Sequence, residues 1–252
     1  MRYSDKGFTL IELMVTIVIA TIVGLALTNL YRGFAEQNKQ QRRIAEVRSQ
    51  LTRVSELIER DIRMAGYGLA GTGIRPTLGD PDDEILIFRD DSKGETALAS
   101  APASGGTCIH VEDPASITSD QWLCLMGADT LYRQVADIAL SLTSCNIPVT
   151  EPLPAGHGFA IGDKVLLVTG IQYSIGTDGG VNSLIRNQNG KEIEIPSISI
   201  LEIAIKNSEG NEITANFENA RSLFFRVGGV PSGSTTSETV ETTIEANPRN
   251  YH

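Results

Sequence analysis

The chain has 252 residues, room for one ordinary domain plus an accessory segment, and its 41% hydrophobic content is that of a folded protein. The net charge of −10 is unevenly spread: residues 1–66 hold 10 Lys/Arg against 7 Asp/Glu, and the rest of the chain holds 11 against 24. An acidic distal part repels phosphate groups, which argues against direct binding of nucleic acid or anionic lipid there.

Phe8 to Leu27 carries Glu12 as its only charge, and a run of about 20 apolar residues is what an α-helix needs to cross a bilayer. Arg2 and Lys6 precede the run and place the amino terminus on the cytoplasmic side. Arg32, Lys39, Arg42 and Arg43, beyond the run, pull against that orientation. A secretory signal ends its apolar region with a small-residue cleavage site. Here the small residue, Gly7, stands in front. A peptidase at the cytoplasmic face could therefore remove MRYSDKG and leave a hydrophobic helix beginning at Phe8. A carboxylate within that helix costs about 2.5–3.5 kcal/mol on insertion scales, so Glu12 calls for a compensating partner.

The stretch Lys6-Gly7-Phe8-Thr9-Leu10-Ile11-Glu12-Leu13 resembles the class III signal of type IV prepilins and type II secretion pseudopilins. The resemblance implies cleavage after Gly7, methylation of the new terminus at Phe8, and a Glu12 carboxylate that meets the terminal amine of a neighbouring subunit during assembly. An opposite charge offsets part of the desolvation of Glu12. The resemblance further implies other minor and major pilins, the prepilin peptidase and an inner-membrane assembly platform as partners, with no cofactor. It covers about the first 25 residues and leaves the distal part unassigned. Many major pilins carry a proline in this helix, whereas the first proline here is Pro76. Gly24 and Gly33 are then the expected weak points.

From Ile44, apolar residues recur at Val47, Leu51, Val54, Ile58, Ile62 and Ala65, one face of an amphipathic helix. The opposite face holds Arg42, Arg43, Glu46, Arg53, Glu56, Glu59, Arg60 and Arg63. A single helix over 8–65 is expected, with 8–27 in the membrane, 28–65 amphipathic, and the outer half laid on a sheet. Ile58 to Gly68, IERDIRMAGYG, is similar to the corresponding stretch of PilW-type minor pilins and J-type pseudopilins. Gly66-Tyr67-Gly68-Leu69-Ala70-Gly71 fits G-x-G-x-x-G, but a helix precedes it where a dinucleotide site requires a strand. A helix stop with glycine in the left-handed cap is the expectation.

Residues 66–252 read as a β-rich periplasmic or extracellular domain. Strands are predicted at 84–89, 107–112, 121–126, 164–169, 181–186, 198–205 and 222–227, with turns at 90–94, 102–106, 176–180, 187–190 and 207–210. Without strand-helix-strand alternation the pairing should be antiparallel, and the fold class α+β, pilin-like. Residues 101–106 read as loop, and 231–243 as a flexible tail or a Thr-rich edge strand.

Cys108, Cys124 and Cys145 allow three pairings of one bridge. A hairpin of 107–112 with 121–126, turning near Ser116, would set Cys108 opposite Cys124, the pairing expected; three unpaired thiols are the alternative. His110, His157 and His252 lack metal spacing, and Cys108-x-His110 alone is a weak metal signal. The acidic run Asp80, Asp82, Asp83 and Glu84 lacks the glycine and closing glutamate of a calcium loop. No nucleophile elbow occurs, since Ser174 has Gln172 on one side. The expectation is a non-enzymatic minor pilin, single-pass in a bacterial inner membrane before it enters a filament, with a J-type pseudopilin or a tip-adhesin module as alternatives.

Overall fold

The computed structural model describes residues 10–69, 73–77, 83–90, 94–138, 145–178, 181–206, 209, 211–212, 222–230 and 239–247. The chain divides into two compact units, Met1–Glu46 and Val47–His252. Helix α1 runs Leu10–Arg63 without a proline. Arg60 and Arg63 lie in its last turn, where positive charge complements the helix dipole. It stops as expected: Gly66 and Gly68 have φ of 71° and 72°, which only glycine adopts without penalty. The Gly66 N–H leaves the helix to donate to Phe88 O at 2.8 Å.

Among the described residues of the distal unit every ladder is antiparallel. The strands are β1 (Ile74–Thr77), β2 (Glu84–Arg89), β3 (Glu95–Ala97), β4 (Cys108–Ile109), β5 (Trp122–Met126), β6 (Thr130–Gln134) and β7 (Ile147–Pro148). They continue with β8 (Lys164–Asp178), β9 (Val181–Gln188), β10 (Lys191–Pro196), β11 (Ile200–Lys206), β12 (Ser222–Gly229) and β13 (Val240–Ala246). The architecture is α+β and pilin-like, as the sequence predicts.

The 15-residue β8 organises the larger sheet. Along one edge it pairs with β2 and then β3; along the other it pairs with β9 over Ile171–Asp178 and with β5 over Lys164–Val168. The change of partner falls at Gly170, whose N–H donates to Asn189 Oδ1 at 3.0 Å. Asn189 and Gly190, with φ of 50° and 81°, form the two-residue turn between β9 and β10. A Cβ at 170 would overlap the Trp122 indole, and Trp122 also meets the Phe88 ring edge-on at 5.0 Å. Glycine is needed there because an aromatic ring occupies the space of a side chain.

Residues Val47, Leu51, Val54, Ile58 and Ile62 of α1 pack with Ile87, Ile171 and Leu184 from the larger sheet and with Ile203, Phe225 and Val227 from the three-stranded sheet β11-β12-β13. The odd residues of β8 divide between two cores: Ile171 and Tyr173 join this one, while Val165 and Leu167 join a second under β5. Leu166 and Val168 turn the other way, toward Phe88 and Trp122.

Several expectations need correction. The hairpin of 107–112 with 121–126 does not form: β4 pairs with β7, and β5 lies between β6 and β8. A tighter turn at Gly127-Ala128-Asp129 supplies the nearer partner for β5, and Trp122–Leu125 are all buried, the pattern of a strand flanked on both sides. The strand predicted at 164–169 continues to Asp178, since Gly170 and the polar Gln172 and Ser174 are compatible with a strand whose polar positions lie outside the core. Of the segment 231–243, the part from Val240 is an edge strand, and 231–238 lie outside the described residues.

Gly170→Ala should lower the unfolding free energy of the detergent-solubilised full chain by about 1–3 kcal/mol, the usual cost of overpacking. Trp122→Leu should cost less in that background than in the native chain. Urea unfolding followed by circular dichroism measures both, and additive effects would show that the ring and the glycine do not compete for one space.

Candidate functional site

Within the first unit, the apolar residues of α1 from Leu10 through Leu27 are exposed, Leu10 at 77% and Leu25 at 67%. This part of the helix is long and apolar enough to cross a membrane. Its hydroxyls are satisfied internally: Thr16 donates to Leu13 O at 2.8 Å, Thr21 to Val18 O at 2.7 Å and Thr28 to Gly24 O at 2.8 Å. A lipid phase supplies no hydrogen bonds, so self-satisfied threonines are the form a spanning helix tolerates. Glu12 lies in the first turn of the helix, where the dipole favours negative charge. Gly7 and Phe8 lie outside the described residues. A Cβ on Gly24 or Gly33 would meet nothing within 4 Å, so no close approach explains those glycines.

In the distal unit, the stripe of α1 contains an acid. Asp61 is fully buried between Ile58 and Ile62. Arg186 of β9 donates to Asp61 Oδ2 from Nη2 at 2.8 Å and from Nε at 3.0 Å. The Tyr173 hydroxyl of β8 donates to the same oxygen at 2.7 Å. Arg186 Nη1 reaches Gln188 Oε1 at 3.0 Å, and Arg60 Nη2 lies 3.4 Å from Asp61 Oδ1. Burial works against the Arg186 charge, but the bonds and charges of Asp61 and Tyr173 outweigh it and raise its pKa. Burial, reinforced by the Asp61 carboxylate, pushes the Tyr173 phenol well above the ordinary tyrosine range. Removing one partner of such a pair costs about 3–5 kcal/mol, because the other is left buried and uncompensated.

Comparison with known families adds one finding: the model of the prokaryotic N-terminal methylation motif matches residues 2–28. The chain has a type IV pilin-like amino terminus. No curated protein and no solved structure matches it. This pilin-like start points to a structural subunit that is anchored in a membrane, processed, and assembled with other pilins.

The other residues singled out from the sequence belong to the distal unit. The disulfide of the pilin-like chain joins Cys108 to Cys145, not to Cys124, with Cα atoms 5.7 Å apart. The cause is the strand pairing: Cys108 lies opposite Pro148 in the β4–β7 ribbon, three residues past Cys145, while Cys124 lies opposite Leu166 in the centre of the sheet. Closing 37 residues contributes about 4 kcal/mol in the chain-entropy model. Burial pushes the free Cys124 thiol up to about 12, an effect that the neighbouring Tyr132 hydroxyl partly counters. Among the described residues no group of His, Cys, Asp and Glu could hold a metal. Asp83 accepts the Ile203 N–H at 2.7 Å, so this member of the acidic run caps an edge of β11; Asp80 and Asp82 lie outside the described residues. Within the G-x-G-x-x-G match, Gly66 and Gly68 form the helix stop directly after α1, and Ala70 and Gly71 lie outside the described residues.

Sequence periodicity missed Asp61, Tyr173 and Arg186. The available signal was Asp61 itself, three residues after Ile58 on the face otherwise given to aliphatic side chains.

Asp61→Ala should destabilise the distal unit by about 3–5 kcal/mol, and Asp61→Leu combined with Arg186→Met should recover most of that loss. Chemical denaturation of the full chain in detergent measures both. Alkaline titration offers an independent check. Tyr132 and Tyr173 both have raised folded-state pKa values, the first through burial and its neighbour Cys124. Their contribution to stability is complete below the ordinary tyrosine pKa of about 10 and is lost as pH rises from there through the folded values. Two of the six tyrosines should therefore ionise, by absorbance at 295 nm, only as the chain unfolds.

Proposed function

We propose that the chain is a minor pilin of a type IV pilus, resembling the PilW type, that takes part in filament initiation and assembly. The observation that carries this reading is the methylation motif over residues 2–28 at the head of an exposed apolar helix with one acid, Glu12, in its first turn. In this reading residues 1–7 are a cytoplasmic leader, the chain crosses the inner membrane once, and the prepilin peptidase cuts after Gly7 and methylates Phe8. The distal domain faces the periplasm until the helix is drawn into a filament. The chain performs no chemistry of its own and needs no cofactor.

Its mechanism is assembly. Apolar helices bundle as they leave the bilayer, and Glu12 pairs with the terminal amine of a neighbouring subunit. A carboxylate in a low-dielectric bundle carries a desolvation cost unless an opposite charge stands beside it, so only one helix stagger satisfies both groups. The same leader serves J-type pseudopilins. Genes for pilus assembly beside this one support the first reading, and a secretin-linked secretion operon supports the second.

Mass spectrometry of purified filaments should find, at low abundance, a chain beginning at N-methylated Phe8. Retention of Met1 would sink the proposal. Gly7→Val should leave the precursor mass unchanged. Glu12→Ala should be processed normally yet enter filaments poorly, and normal incorporation would remove the register role from Glu12.

A further inference from the structure

Asn189 is the only asparagine in the chain that is followed by glycine. Such a pair is chemically labile in flexible chain, because glycine has no side chain to keep its backbone nitrogen away from the preceding carboxamide. The fold nevertheless calls for it. The φ angles are 50° at Asn189 and 81° at Gly190, and a two-residue hairpin turn with positive φ at both places selects asparagine followed by glycine. A Cβ on Gly190 would also lie 3.4 Å from Asp120 Cβ.

Both halves of the pair are held by other groups. The Gly190 N–H donates to Asn187 Oδ1 at 2.9 Å. Asn187 Nδ2 donates in turn to Oε1 of Glu192, its partner directly across the hairpin, at 3.3 Å, which sets the direction of the Asn187 carboxamide. Asn189 makes two bonds to β8: its Oδ1 accepts from the Gly170 N–H at 3.0 Å, and its own N–H donates to Gly170 O at 3.3 Å. The residue thus fills the ladder position where β8 passes from β5 to β9.

We propose that Asn189 is a latent deamidation site, kept closed by the clasp of Asn187 on Gly190 and released when the β9–β10 hairpin opens. In the reaction Gly190 N gives its proton to solvent and bonds to Asn189 Cγ. The Cγ–Nδ2 bond breaks, and Nδ2 takes up one proton and leaves as ammonia. Water then opens the cyclic imide at either carbonyl and gives aspartate or isoaspartate. One water enters, one ammonia leaves, and nothing is oxidised or reduced.

In the folded turn the Gly190 N–H is committed to Asn187, so the nitrogen must break that bond before it attacks. Isoaspartate carries the main chain through the side-chain carbon. The acceptor of the Gly170 N–H then leaves its place, and the turn becomes one backbone atom longer than the present register accommodates. A chain whose hairpin has opened is therefore marked permanently. The inference concerns the distal unit alone and is independent of the filament reading.

The test follows the full chain in detergent and mildly alkaline buffer, with peptide mapping by mass spectrometry to measure deamidation at residue 189. The native chain should react many-fold more slowly than the same chain in urea. Asn187→Ala should speed the native reaction several-fold, and Glu192→Ala should speed it less. Glu192→Gln, which keeps an acceptor for Asn187 Nδ2, should leave it slow. Ile58→Val lowers stability through α1, away from the turn, and should leave the rate unchanged. Equal rates with and without urea, no acceleration in Asn187→Ala, or the same acceleration in Ile58→Val would each overturn the proposal. If Asn187→Ala fails to fold, Glu192→Ala decides the matter, since a rate equal to that of the native chain removes the clasp.

Discussion

The distal domain depends on one desolvated charge pair. Asp61 on α1 and Arg186 on β9, joined by the Tyr173 hydroxyl, meet beneath the surface with both side chains buried. The surrounding stripe of Val47, Leu51, Val54, Ile58 and Ile62 is made of side chains of similar size, and hydrophobic attraction alone is non-directional. A helix held by that stripe could slide by a turn at modest cost. With the carboxylate in place, a slide would strand two buried charges, so the pair contributes more to register than to net stability. The same three residues bind α1 to β8 and β9, and β8 in turn carries β2, β3 and β5.

The parts of this architecture that the sequence makes legible are those governed by local rules. The long helix follows from an unbroken apolar run and a three-and-four spacing, and its end follows from Gly66 and Gly68. Most predicted strands coincide with observed ones within a few residues, because runs such as EILIFR and SLFFRV bury alternating or continuous aliphatic faces. Strands β1 and β10 were hidden by Pro76 and by the charged Lys191, Glu192 and Glu194, which are compatible with an edge and with little else.

Long-range partners were not legible. The Cys108 bridge and the Asp61–Arg186 contact, 125 residues apart, depend on which strand lies beside which, and no local pattern encodes that. The candidate assembly site shows the same division. Gly7, Phe8 and Glu12 stand in one short motif that can be read directly, whereas the cluster that fixes the outer helix is scattered over three elements. A pilin-like chain thus places its processing signal and its membrane segment in contiguous sequence and leaves the docking of the helix to tertiary structure.

The sheet margins have a further consequence. β10 shows Lys191, Glu192 and Glu194 and ends in Pro196; β1 contains Pro76; and β13 exposes Glu241 and Glu245. Prolines and like charges on outermost strands discourage a foreign strand from adding to the ladder. Chains crowded side by side in a bilayer, at local concentrations far above those in solution, would otherwise be prone to fuse through their β-domains. Guarded margins keep neighbouring anchored chains from pairing through their β-domains.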